Sequence, residues 1–186
     1  MIRVLRWGAA ATALAAMLTA GLLGLNLWTY QRLTDELWVA DLHFTRVSPG
    51  RFAATITRPG EQARSVGLSG DDWQLDARLI TWRPWMQLFG SDPVYRLDRL
   101  SGRYRDIARA RSNLPSVHAL SDNPGLDLWA LMREGEHWLP GVDAAYGSAV
   151  FLPMEHDASY RVTLSAKGLV ARPINEPAKT AVSRWY

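Results

Sequence analysis

The strongest constraint on this chain is its opening. Two arginines, Arg3 and Arg6, precede an unbroken stretch from Trp7 to Trp28 that carries no formal charge. As a helix, these 22 residues rise about 1.5 Å each and span about 33 Å, close to the hydrocarbon core of a bilayer. Thr12, Thr19 and Asn26 interrupt an otherwise Ala-, Leu- and Gly-rich run. Trp7 and Trp28 bracket it and Tyr30 follows, rings whose apolar body and polar tip suit a membrane interface. The pattern predicts a transmembrane signal-anchor helix within residues 1–32. Its N-terminus faces the cytoplasm and the rest lies outside, because positive residues stay on the cytoplasmic side. A cleaved signal peptide is the competing reading, with small residues at Thr19-Ala20-Gly21. Against it, Leu22 to Trp28 stays apolar and would leave a greasy new terminus. Ala16, Ala20 and Gly24 repeat at the spacing that permits close helix pairing, which arises readily by chance in an Ala-rich helix.

Setting aside the first 30 residues leaves 156, enough for one domain with its own core. The net charge is +3, and Arg3 and Arg6 supply two of those charges. An outer domain near +1 gives no footing for nucleic-acid binding, so no such partner is expected. Cysteine is absent, which excludes disulfides, thiolate metal sites, thiol nucleophiles and a lipidated N-terminal cysteine.

The outer segment, 33–173, reads as β-rich. Glu36–Val47 alternates, with Trp38, Ala40, Leu42 and Phe44 opposed to Asp41, His43 and Thr45. Ser48-Pro49-Gly50 and Arg58-Pro59-Gly60 turn the chain around a second strand over 51–57, and a third follows over 63–68. Trp73–Trp82 alternates again, Trp73, Leu75, Ala77 and Leu79 facing inward. Pro84–Gly90 fits a short helical turn. Tyr95–Arg111 fits helical spacing through Leu97, Leu100, Tyr104 and Ile107, yet its Gly102 and aromatics suit a bent strand as far as Asp106. Asn123-Pro124 marks a helix start, a capping residue before a proline in the first turn. Two more strands cover 144–152 and 159–171, and 174–186 reads as a C-terminal tail. About seven strands and one short helix give a mainly β (α+β) domain, an antiparallel sandwich or partly open barrel.

Chemistry-bearing residues are sparse. Asp71, Asp72 and Asp76 fall within six residues and could hold a hard cation, but no ligand-spaced loop accompanies them, and a solvated turn with an Asp76–Arg78 pair is simpler. A hydrolase built on a carboxylate pair from Asp71, Asp72, Asp76 and Asp98 is a minor alternative. Arg96 to Arg111 carries six arginines against Asp98 and Asp106. Near Tyr95 and Tyr104 these arginines, Arg96, Arg99 and Arg103 above all, can grip phosphate or a lipid headgroup, or simply form a wet face. Trp82 and Trp85, around Pro84, suit an exposed contact patch, whereas most tryptophans, including Trp38, Trp73, Trp129 and Trp138, read as core. His43, His118, His137 and His156 show no metal or catalytic spacing, and Ser148 lacks a nucleophile elbow. No catalytic residue, metal ligand or cofactor is expected.

The anchor together with GDDWQLDARLITW, YRLDRLSGRY, YGSAVFLPM and GLVARP resembles, from about Trp28 to Pro173, a family of small proteobacterial membrane proteins filed as cation or multidrug efflux pumps or multidrug transporters. The resemblance implies a bacterial inner-membrane protein with its domain in the periplasm, and it carries over no site residues. One span cannot build a transport path, which usually takes several, so at most an accessory role follows. The expected function is non-enzymatic: a single-pass periplasmic interaction module of the cell envelope, working through the bilayer and a protein partner. A carrier of lipid or a small apolar ligand is the alternative.

Overall fold

The computed structural model describes Trp7 and residues 12–24, 36–83, 85–86, 93–121, 142–165 and 167–185, without the side chains of 142 and 144–146. It divides into two units, Met1–Asp35 and Glu36–Tyr186. In the first, residues 12–24 are helical and every one of them is exposed. Among the described residues, no helix is long and apolar enough to cross a membrane. Residues 8–11 and 25–28 of the expected span lie outside them.

The second unit is mainly β. In chain order it holds β1 (Leu37–Ser48), β2 (Arg51–Thr57), β3 (Arg64–Ser69), β4 (Asp72–Trp82), β5 (Val94–Arg103), α1 (Ile107–Ser112), β6 (Val117–Ala119), β7 (Val142–Pro153), β8 (Ser159–Ser165), β9 (Gly168–Pro173) and α2 (Glu176–Ser183). Two antiparallel sheets form, ordered β3-β2-β1-β8-β9 and β6-β5-β4-β7. Their inner faces share one core. Leu42, Phe44, Ile56, Leu68 and Val162 come from the first sheet, and Trp73, Leu75, Leu79 and Leu100 from the second. At its centre Trp73 lies 6.0 Å from Phe44 and 5.4 Å from Tyr160, ring centroid to centroid. Aromatic contacts of this kind add to what area burial alone contributes.

Both pairs of sheet edges are stapled by side chains. The His118 ring reaches the Gly67 carbonyl at 2.7 Å, joining β6 to β3. On the other side, the Leu169 N–H donates to Ser148 Oγ at 3.0 Å, joining β9 to β7. Bare strand edges invite pairing with other chains, so these two residues do structural work, and the sandwich is partly closed.

Several expectations change. The chain shows nine strands among its described residues, not about seven, because 159–171 folds back on itself as the β8–β9 hairpin and the short β6 pairs along β5. The segment read as a tail carries α2, where Asn175 Oδ1 accepts from the Ala178 N–H and Ala178 is fully buried. In β1 a register shift against β8 sets Val39 inside and leaves Trp38 39% exposed, its Nε1 donating to Asp41 at 3.1 Å. Among the tryptophans read as core, Trp73 is fully buried, whereas Trp129 and Trp138 lie outside the described residues. The same holds for the helix expected from Asn123 and for most of the turn over 84–90.

Tyr160 is buried and donates its hydroxyl to the Pro153 carbonyl at 2.7 Å. Desolvation pushes its ionisation well above the ordinary tyrosine range, with Glu155 and Asp72 adding to the effect. Above about pH 10 an unfolded tyrosine gives up its proton while the folded one keeps it. The unfolded state then binds fewer protons, so stability falls as pH rises through that range. Urea unfolding of Tyr160→Phe is expected to show about 1 kcal/mol lost at neutral pH, from the missing hydrogen bond. It should also show a shallower decline between pH 10 and 11. Desolvated Tyr95, shifted in the same direction, supplies part of the remaining slope.

Candidate functional site

Arg96, Arg99 and Arg103, three of the residues singled out as contacts, share one face, and a single backbone irregularity brings Arg96 onto it. In β5, Arg99 pairs with Asp76 while Leu97 pairs with Ala77, so Asp98 is an extra, bulged residue. A strand alternates faces at every residue. The bulge therefore returns Arg96 to the side already occupied by Arg99 and Arg103, the outer face of the β6-β5-β4-β7 sheet. It also brings Leu97 and Leu100 together inside, which accounts for their helix-like spacing.

On that face the arginines meet carboxylates of the neighbouring strand. Arg99 Nε donates to Asp76 Oδ2 at 2.5 Å, and this bond raises the guanidinium above its ordinary value. Gln74 Nε2 donates to the same carboxylate at 2.8 Å. Arg78 pairs with Asp98 at 3.0 Å rather than with Asp76. Arg103 lies 4.4 Å over the Phe151 ring, which packs edge-on against Trp185 at 5.6 Å. The face is thus an arginine and aromatic surface into which the end of α2 is built. Trp82, half-buried, closes β4 on the same side, and Trp85 beyond it is 50% exposed.

The four aspartates weighed as a carboxylate pair are all engaged by arginine. Asp71 accepts from Arg109 at 3.2 Å, Asp72 from Arg105 Nε at 2.8 Å, Asp76 from Arg99, and Asp98 from Arg78. Asp72 and Asp76 stand four residues apart on one strand, about 13 Å, which is wider than the carboxylate separations of glycoside hydrolysis.

The histidines come together in a way their spacing hides. The His156 and His43 rings flank Asp157 at 3.6 and 4.0 Å, and the Arg46 N–H donates to His156 Nδ1 at 3.2 Å. His137 lies outside the described residues.

A cavity of about 390 Å³ opens at the end of the sandwich formed by the β1–β2 and β3–β4 turns. Arg46, Arg105 and Arg184 line it together with Asp71 and Glu155, and Arg96, Arg99 and Arg103 do not. Its walls are laced by main-chain bonds. Gly70 N–H donates to the Gly50 carbonyl at 3.0 Å, Asp71 N–H to Arg103 at 2.8 Å, and Met154 N–H to Asp71 at 2.9 Å. Two glycines make the lacing possible. A Cβ on Gly102 would sit 2.1 Å from the Ser69 carbonyl oxygen, and one on Gly70 would sit 2.6 Å from that of Arg103. Any side chain there forces the strands apart.

Of the cavity arginines, Arg105 falls within the arginine-rich run 96–111, whereas Arg46 and Arg184 escaped the sequence reading because they sit on β1 and after α2, with no spacing to link them to it. Comparison with protein-family models, curated proteins and solved structures finds no match for this chain.

Proposed function

We propose that the chain is a membrane-tethered interaction module of the bacterial envelope. Its N-terminal segment acts as a signal-anchor, and its β-sandwich, displayed in the periplasm, engages a partner protein through the outer face of the β6-β5-β4-β7 sheet. The observation that carries the tether is the run 12–24, which is helical, free of charge and exposed throughout. Leu14, Met17, Leu18, Leu22 and Leu23 are each at least 60% exposed. A helix that is apolar all round is normally buried in protein or lipid. Arg3 and Arg6 before it favour a cytoplasmic N-terminus.

The contact face is supported by its composition. Arginine and tryptophan dominate the energetic centres of protein interfaces, and Arg96, Arg99, Arg103, Trp82 and Trp85 supply both types. An accessory place beside an efflux or envelope complex fits the family resemblance. The space between the sheets is occupied by Phe44, Trp73 and Tyr160 in mutual contact, which disfavours a carrier with its ligand inside the sandwich.

Two measurements test this. A reporter active only in the periplasm, fused after Tyr186, is expected to be active and to stay with the membrane fraction after carbonate washing. A photoreactive residue at Trp85 or Arg96 is expected to give one discrete adduct in intact cells, while the same residue at Thr55, on the other sheet, gives none. A soluble fusion, or only uncrosslinked protein from every position, would overturn the reading.

A further inference from the structure

We propose that the cavity at the turn end of the sandwich is a binding site for a small organic anion, a phosphate or carboxylate group on a compact apolar body. The inference stands apart from the tether and from the sheet-face contact, since it uses none of their residues.

Charge balance comes first. Both acidic groups at the cavity are already engaged. Glu155 accepts from the Arg46 guanidinium and from the His156 N–H, and Asp71 accepts from Arg109 and from the Arg105 N–H. Arg184, at the end of α2, has no carboxylate partner among the described residues, and the lining sets three arginines against two carboxylates. Donor capacity comes second. A guanidinium offers five N–H donors. Arg46 spends its Nη2 on Glu155, and Arg105 spends Nε and Nη2 on Asp72. Donors remain on both, and a planar fork suits the oxygens of phosphate or carboxylate.

Shape supplies the rest. About 390 Å³ falls within the usual range for small-molecule sites, about 300–1,000 Å³, and far exceeds what a bare phosphate fills. Pro49, Phe52, Met154 and Ala181 give apolar wall between the charges. The main-chain lacing of the turns and the seating of Ala178 hold these walls in place before any ligand arrives. Such preorganisation lowers the cost of binding.

The test uses the full chain in phosphatidylcholine nanodiscs, with methionine methyls isotopically labelled so that Met154 reports on the cavity. Phenyl phosphate is expected to shift the Met154 signal saturably, with benzoate in parallel to decide between the two head groups. Phenol and inorganic phosphate should each bind at least tenfold more weakly than the better of those two. Arg184→Gln should weaken binding about tenfold, Arg184→Lys should restore most of it, and Lys167→Gln, which removes an equal charge elsewhere, should change nothing. Equal binding of phenol would remove the role of the anion, and equal binding of inorganic phosphate the role of the apolar body. No Met154 shift with either organic anion, or equal losses in Arg184→Gln and Lys167→Gln, would overturn the assignment outright.

Discussion

Trp73→Ala is expected to cost about 4 kcal/mol of unfolding free energy, a large fraction of the 5–15 kcal/mol typical of a domain. Trp73 is fully buried, meets Phe44 and Tyr160, and stands on the central strand pair of its sheet. Deleting the indole opens a void that neither partner ring can fill, since each is fixed by its own strand. Trp73→Phe separates volume from polarity. The indole Nε1 is buried and has no hydrogen-bond partner among the described residues, so the wild type already carries a desolvated donor. Removing that donor offsets part of the lost packing, and the phenylalanine variant should lose only about 1–2 kcal/mol. Urea titrations of the full chain in neutral detergent, followed by circular dichroism, would measure both. Equal losses in the two variants would show that the indole N–H contributes to stability after all.

The strands up to Trp82 were legible because apolar residues recur at every second position on their core face, so the pleat writes itself as alternation. This holds even in β4, where Asp72, Asp76 and Ile80 on the other face are buried too. The failures have local causes. Asp98 adds one residue to β5, and a bulged strand read without its partner has the three-residue spacing of a helix. The β8–β9 hairpin has no proline or asparagine to announce it. Its turn is made by the Ser165 hydroxyl, which accepts from the Lys167 N–H and donates to the Gly168 carbonyl, and by Gly168 at φ 124°. Helix α2 did carry a signal: Asn175 two residues before Pro177 is close to the cap pattern used to place a helix at Asn123-Pro124. Eight residues with one buried side chain leave too little apolar periodicity to confirm it.

The site was legible by composition and not by arrangement. That Arg96, Arg99 and Arg103 belong together follows from their density, but their common face depends on the bulge. Their partners, and those of the other aspartates, lie far off in sequence: Asp76 and Arg99 are 23 residues apart, Asp72 and Arg105 33, and Asp71 and Arg109 38. The first is set by sheet register and the other two by the loop and helix that follow β5, and no spacing rule along one segment reaches them. The cavity is a stronger case, because its lining comes from turns and termini that meet only after the sheets have formed.

One of those distant pairs yields the second large effect. Asp72 is 2% exposed, and its Oδ1 accepts two bonds from Arg105, at 2.8 and 2.5 Å. The pairing lifts the Arg105 guanidinium above its ordinary value. Arg105→Ala strands a buried carboxylate, which typically costs 3–5 kcal/mol. About 3 kcal/mol is expected here, because the Arg105 side chain is 47% exposed and water can reach part of the gap. Neutralising the stranded group should reverse much of that loss. The double variant Asp72→Asn/Arg105→Ala is therefore expected to be more stable than Arg105→Ala alone, by about 1–2 kcal/mol. Such a sign, a second substitution that rescues the first, arises only if the two groups interact. Additive losses in the double variant would mean that Arg105 contributes through the packing of its stem against the β3–β4 turn, and that Asp72 finds its compensation elsewhere.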